Sequence, residues 1–375
     1  MEELLALLDK TPAVVNIHPV SLCFLPSDVL ILGTEAEATW LLDDPHPVLP
    51  QRILITGATS LYEGRFPHIR YEHDPFTPAL NSILLERFED VATRMLCQSA
   101  LPDRIVRSSD LFDLVLLFLV DGLSYRDVRN WAASPNTIFT IEPCLVDVPT
   151  LTQTGFSNII GDPPVAARLF DRGFHDRLGF TYWDIQDNEM AGHLFHTIPR
   201  TEKAGDFRKI VSALREYLET AAGRKCYVQI VRTGLDGYVH NQKRKPPVAE
   251  IVADVRREFE TLGSLLRELG VRSCLYLTAD HGILWRDEFE PKIVGNAPAR
   301  SSPRWCGWRE LYYQEDRGRR FVVGGEEYYC LGFPKVRRPL RIDEQGVHGG
   351  ISFQESIVPF ITWEVLPVAA GGTAL

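Results

Sequence analysis

The chain has 375 residues, 45% hydrophobic and 24% charged, the composition of a globular protein with room for one large domain and a smaller one. A net charge of -10 excludes a broad surface that coats nucleic acid, which needs a basic excess, but leaves room for local basic patches or for cations bound in one cleft. The seven cysteines are odd in number and never in CxxC form, no apolar run is long enough to span a bilayer, and MEELLALLDK lacks a signal peptide's basic start, so a cytoplasmic protein with no membrane partner is expected.

Residues 1–105 carry short β-like runs, SLCFL, VLILG, TWLL, RILITG and IRYEH, broken by Pro, Gly and Asp. They predict a small N-terminal accessory α/β lobe. A helix is expected from Ala79 to Gln98, closed by Pro102. His46, His68 and His73 have no partner spacing and read as surface or turn residues.

From residue 106 to 375 the pattern becomes strand, turn, helix. Leu114–Val120 is an unbroken apolar run that stops at Asp121-Gly122, as a buried strand of a parallel sheet does. PTLTQTGFSNIIGDPP is a hydroxyl-rich turn leading into an apolar, helical segment. The aromatic-rich stretch 165–205 reads as a cap-like insertion, and 285–340 as a second. Between them, the strand CYVQIVRTG, a helix from Val248 to Leu269 stopped by Gly270, and the strand SCLYLTAD make a βαβ unit with a right-handed crossover. FVVGGEEYYCLG reads as a hairpin turning at Gly324-Gly325, and VHGGISFQESIVPFITWEV as a turn into a last helix or strand. The expected fold class is α/β, a predominantly parallel sheet flanked by helices.

Acid and imidazole collect at the ends of these strands: Asp121, then Asp236 and His240 at i,i+4 spacing, then Asp280 and His281, then His348 before the last element. Ligands of open α/β sheets bind beyond the carboxyl ends of the strands. Three Asp and three His there are enough ligands for two metals, and mixed N/O ligation suits zinc, with manganese as the second choice. A dinuclear site suits in-line displacement at phosphorus, with a metal-activated hydroxyl as nucleophile. Thr150, Thr152 and Thr154 all offer one, and the amides at the helix start that follows offer donors to phosphoryl oxygens.

The order Asp, Thr, Asp-x-x-x-His, Asp-His-Gly, late His resembles the alkaline phosphatase superfamily. Within it, LVDGLSY, PTLTQTGFSNIIGDPP, TADHGIL and VHGGISFQESIVPF resemble the PglZ domain of bacterial anti-phage, BREX-like systems, over residues 114 to 360. That resemblance implies an alkaline-phosphatase-like sheet and two zinc ions. One would take Asp121, the nucleophilic Thr, Asp280 and His281, the other Asp236, His240 and His348. Similarity to the phosphodiesterase branch, with its Pro-Thr-x-Thr pattern, favours Thr152 among the three. The sulfatase pattern, Cys or Ser before x-Pro-x-Arg, is absent, and no Arg lies between Thr150 and Pro164 to grip a phosphate monoester. A phosphodiesterase is therefore expected over a monoesterase, with Asn158 or Ser157 as hydrogen-bond donors to the phosphoryl group by residue type.

Basic clusters at Lys243-Arg244-Lys245, Arg317-Arg319-Arg320 and Lys335-Arg337-Arg338-Arg341 read either as solvated loops or as a track for a nucleic-acid backbone. Trp305 and Trp308 read as packing residues or base-stacking platforms. The leading expectation is a zinc phosphodiesterase acting on nucleotide or oligonucleotide diesters in phage defence, alongside other proteins of a defence system. The alternatives are a weakly active, metal-stabilised scaffold that binds nucleic acid or defence proteins, and a phosphomonoesterase.

Overall fold

Runs of only four or five residues build a first, small sheet. The computed structural model describes residues 2–17, 19–26, 28–33, 37, 52–56, 66–71, 74, 76–133, 138–182, 192, 194–221, 223–239, 243–307 and 317–367. The chain divides into two units, Met1–Leu80 with Arg87–Met95, and Asn81–Glu86 with Leu96–Leu375. In the first, β1 (Ala13–Ile17), β2 (Val29–Leu32), β3 (Arg52–Ile55) and β4 (His68–Tyr71) form a parallel sheet in the order β2-β3-β1-β4. Successive side chains leave a strand on opposite faces, so Val15, Ile17 and Leu54 pack with Leu4 and Leu8 while Val14, Ile53 and Ile55 pack on the other side. β1 lies outside the expected runs, and SLCFL is not a strand: Pro19 opens a helical turn, Pro19–Leu22, because its missing amide costs nothing there. TWLL, His46 and His73 lie outside the described residues.

The helix expected over 79–98 is two helices, Pro78–Glu86 and Phe88–Arg94, followed by the short strand β5 (Leu96–Cys97). Pro102 does not close a helix; it sits in the first turn of the next, Leu101–Ser108, the position where a residue without an amide fits best.

The second unit is organised by β6 (Leu114–Val120), all seven residues of which are buried. With β5, β7 (Thr140–Leu145), β8 (Asp176–Tyr182), β9 (Arg200–Lys203), β10 (Cys226–Arg232), β11 (Ser273–Ala279) and the last long strand, Ile357–Val365, it forms an eight-stranded mixed sheet. The order is β5, β7, the last strand, β11, β6, β10, β8, β9, and the last strand alone runs antiparallel to its neighbours. Helices flank it. The longest, Val248–Glu268, carries the chain from β10 past β6 to β11 and buries Val252, Val255, Phe259, Leu262, Leu265 and Leu266. It stops before Gly270, whose φ of +66° ends a helix without strain.

The described residues of 165–205 belong to the main sheet and its flanking helices. They supply the helix Val165–Phe170 and the strands β8 and β9 of the main sheet, and Phe174, Phe180 and Phe195 are aromatic because they fill its core. Trp183 lies outside the described residues. Residues 285–340 hold small accessory strands: β12 (Leu284–Trp285), β13 (Lys292–Ile293), β14 (Trp305–Gly307), β15 (Gly318–Val323), β16 (Glu326–Leu331) and β17 (Lys335–Val336). β15 and β16 form the expected hairpin, its turn made by Gly324 and Gly325 at φ +59° and +85°. β18 (Gly346–Val347) pairs with β12, and the last strand is β19. Among the described residues, no helix is long and apolar enough to cross a membrane.

Candidate metal centre

Strand register assembles the site. Val120, Arg232 and Ala279, the last residues of β6, β10 and β11, are cross-strand partners in one row. Asp121 and Asp280 therefore leave the sheet side by side, and Asp236 follows one short turn after β10. β7 ends at this edge, so the Thr150–Thr152 turn emerges here. β19 starts here because it is antiparallel, pairing Ile357 with Leu145, which puts the His348 loop at the same edge. Backbone bonds tie the loops together: Asp121 N donates to Arg232 O at 3.1 Å, Leu123 N to His281 O at 2.8 Å, and Gly282 N to Glu355 O at 2.9 Å.

Two groups of side chains result, Asp121 with Asp280 and His281, and Asp236 with His281 and His348; in each, the potential ligand atoms lie within 4.8 Å of one another. His281 Nε2 is 3.3 Å from Asp280 Oδ2, and His348 Nε2 is 3.4 Å from Asp236 Oδ1. The imidazoles of His281 and His348 stack at 4.2 Å. Each ring's Nδ1 is 3.0 Å from a backbone carbonyl, Gly282 O for His281 and Thr150 O for His348. A carbonyl can only accept, so both Nδ1 atoms carry the proton and both Nε2 lone pairs face the carboxylates, the tautomer a metal-binding imidazole needs.

The charge balance calls for a cation. Asp280 and His281 are wholly buried and Asp121 nearly so. Burial first, then the charges of Asp280 and Asp236, hold the Asp121 carboxyl well above the usual carboxylate range. Among the described residues, neither Asp121 Oδ1 nor Asp280 Oδ2 receives a hydrogen bond. An ionised carboxylate buried without a partner costs several kcal/mol, so the residues fit a bound divalent cation, which would reverse that balance.

Of the three threonines, Thr152 faces the cluster. Its Oγ1 is 3.3 Å from His281 Nε2, at the first position of the helix Thr152–Ile160. The Thr150 hydroxyl is committed elsewhere: it donates to Gly350 O at 3.2 Å and accepts from Gly349 N at 2.7 Å. Thr154 is buried two residues further on in the same helix.

Asn158 lies six residues beyond Thr152 on the same helix, roughly 9 Å along the axis and about 120° around it. The first-turn amides of that helix, which have no intrahelical partner, are nearer donors. His240 lies outside the described residues.

Arg337 and Arg338 are not a nucleic-acid track either. Both are buried: Arg337 donates to Trp305 O at 2.7 Å, and Arg338 holds Glu344 through two bonds of 2.6 and 2.7 Å. Lys245 is tied to Asp287 at 2.7 Å, while Lys243 and Arg244 are exposed.

Supporting groups surround the cluster. Gln98 Nε2 donates to both Ala279 O and Asp280 O at 2.8 Å, pinning the end of β11. Gly155 lets the Thr152 helix lie directly on the Asp280 backbone, where a Cβ would overlap the carbonyl. Glu355, the acid of the VHGGISFQES motif, accepts from Gly350 N at 3.0 Å and from Ser352 Oγ at 2.6 Å. Behind it stands Arg304, fully buried and bonded to both Glu355 oxygens at 3.1 and 2.7 Å. The motif made Glu355 findable; nothing in the sequence marks Arg304.

No family model and no curated protein sequence matches the chain. Among solved structures, murine ectonucleotide pyrophosphatase/phosphodiesterase 5, inactive and in complex with AMP, is 13% identical with a TM-score of 0.42, covering 66% of this chain and 87% of that one. Phosphonoacetate hydrolase from Sinorhizobium meliloti, in complex with phosphonoacetate, is 13% identical with a TM-score of 0.41, covering 70% and 92%. The C-terminal periplasmic domain of EptC from Escherichia coli, in complex with Zn, is 10% identical with a TM-score of 0.35, covering 67% and 72%.

Proposed function

We propose that the protein is a metal-dependent phosphodiesterase acting on nucleotide or oligonucleotide diesters, with Thr152 as nucleophile. The observation that carries this reading is the approach of Thr152 Oγ1 to His281 Nε2, at the centre of two Asp/His groups that share His281. One cation would be held by Asp121, Asp280, His281 and Thr152, the other by Asp236, His348 and His240. Zinc suits these ligands, with manganese second. Bound there, the cations would lower the pKa of the attacking hydroxyl and offset charge on the phosphoryl oxygens.

The chain's own residues do the rest. Thr152 Oγ1 attacks phosphorus in line with the departing alcohol, and water then hydrolyses the threonyl phosphoester. The first-turn amides of the Thr152 helix hold non-bridging oxygens, aided by the positive end of the helix dipole. With no arginine between Thr150 and Pro164, little fixed charge greets a dianionic monoester, which favours a diester. The second unit is the catalytic part in this reading, corresponding to the 106–375 domain, and the first unit an accessory lobe. The PglZ-like character and a place in phage defence rest on the motifs alone. Seven thiols without a disulfide favour a reducing compartment such as the cytoplasm.

The test is hydrolysis of bis-p-nitrophenyl phosphate with and without zinc or manganese. Metal-dependent turnover by wild type, abolished in both Asp280→Ala and Thr152→Ala, is the expected result. Turnover surviving in Thr152→Ala would reject the nucleophile and keep the centre. No turnover by folded, metal-loaded protein would favour the scaffold reading instead.

A further inference from the structure

Gln98 has no exposed surface, and its amide serves one place: Nε2 donates to Ala279 O and to Asp280 O, each at 2.8 Å. Carbonyl oxygens only accept, so the nitrogen must face them and Oε1 must face away. Among the described residues, nothing donates to that Oε1. The amide is therefore oriented by the end of β11. The Asp280 carbonyl is also where the Thr152 helix rests, since a Cβ at Gly155 would overlap it. The short turn Gln98–Ala100 packs against that same helix. Ser99, the next residue, binds the exit of β7. Its backbone N donates to Asp147 Oδ2 at 2.8 Å and its Oγ to Asp147 Oδ1 at 3.3 Å, three residues before Thr150. Two adjacent residues thus hold the strand end that carries Asp280 and the loop that carries the threonines. The Asp280 carboxylate is held separately: Oδ1 accepts from Gly122 N at 2.9 Å, which leaves Oδ2 for a cation.

We propose that Gln98 is a positioning residue of the metal centre. Through the Ala279 and Asp280 carbonyls it fixes where the Asp280 carboxylate stands as a ligand, and with Ser99 it sets the separation between Asp280 and Thr152. The proposal rests on the phosphodiesterase reading above. A neutral donor suits this task, because an ammonium or guanidinium beside Asp280 would offset the negative charge that attracts a cation.

The experiment compares wild type with Gln98→Met, which keeps the length of the side chain and removes both donors. Zinc affinity of the folded full chain is measured by competition with a chromogenic chelator, and turnover of bis-p-nitrophenyl phosphate at saturating zinc. Zinc affinity should fall about 10–100-fold, the usual range for a group that orients a ligand. At saturating zinc, kcat should fall about tenfold or more while KM stays within about twofold, the mark of an interaction needed in the transition state rather than for substrate binding. Leu266→Ala, buried near the end of the helix Val248–Glu268 that leads into the opposite end of β11, is the control for lost stability. It should leave zinc affinity and kcat unchanged. If Gln98→Met does not fold, Gln98→Asn, whose amide is one methylene short of the carbonyls, takes its place with the same signs expected. Unchanged zinc affinity and kcat in a folded Gln98 variant would overturn the proposal. So would losses in Leu266→Ala as large as those in the Gln98 variant, which would mark general destabilisation. Zinc binding that depends on Gln98 in a protein without diester turnover would support the positioning role and overturn the phosphodiesterase reading. A folded wild type that binds neither zinc nor manganese would overturn both.

Discussion

At the scale of single residues, the proposed centre is defined by proton positions as much as by ligand types. Gly282 O and Thr150 O hold the Nδ1 protons of His281 and His348, which turns both Nε2 atoms toward the carboxylates of the cluster. Asp280→Asn should lower the bound metal, measured by elemental analysis of the folded protein, by about one equivalent or more, since one cation would lose its buried charge partner. Asp127 makes a separate prediction, away from the ligands. Burial, opposed by the Arg126 guanidinium, pushes its carboxyl up to about 6 from 3.8. An acid raised in the folded state binds more protons folded than unfolded, so its contribution to stability falls as pH rises from 3.8 to about 6. Asp127→Asn should therefore be the more stable protein at pH near 7, by at most about 3 kcal/mol, and the advantage should vanish near pH 4. Urea unfolding at the two pH values measures it, and equal stability at both would refute the assignment.

Elements place these residues through a few close approaches. The Thr152 helix reaches the β11 turn only because residue 155 has no side chain. Gly155→Ala should cost about 1–3 kcal/mol or more in unfolding free energy and depress turnover with it, because relieving the overlap moves Thr152 away from His281. The loop carrying His348 depends on the buried Arg304–Glu355 pair. Glu355→Gln leaves Arg304 buried with a neutral partner, and up to about 3–5 kcal/mol of stability should be lost. Denaturant midpoints measure that cost. Glu355→Gln should also weaken metal binding at the Asp236–His348 group more than at Asp121–Asp280, because Gly350 N loses an ionised acceptor.

Across the whole molecule, a site built of buried, uncompensated carboxylates couples metal to fold. A cation at about 100 times its Kd stabilises the native state by about 2.7 kcal/mol, which for the larger unit raises Tm by roughly 4–5 °C. Chelation should reverse the rise in calorimetry, and Asp280→Asn should show little of it. Much of this architecture is written in local pattern. Leu114–Val120 is apolar throughout and Ser273–Ala279 largely so, and both end at an acid because a strand buried on both faces leaves little other place for polarity, while Val248–Glu268 declares itself by its period. Asp121, Asp236, Asp280, His281 and His348 are legible for the same reason, each being a polar residue within a few positions of a strand end. Other features depend on partners distant in sequence, where no local pattern records them. β8 looked like a cap because its aromatics give no period that separates a core strand from an insertion. Arg337 and Arg338 looked like a basic surface because a charge run is the same string whether solvated or paired with Glu344. The Thr150 hydroxyl is taken up by Gly349 and Gly350, about two hundred residues away, an engagement that no local pattern around the three threonines records. Residue chemistry and periodicity were the sequence's own to determine; which of several equivalent groups meets which was decided by strand register, since only the folded sheet brings those chain ends to one edge.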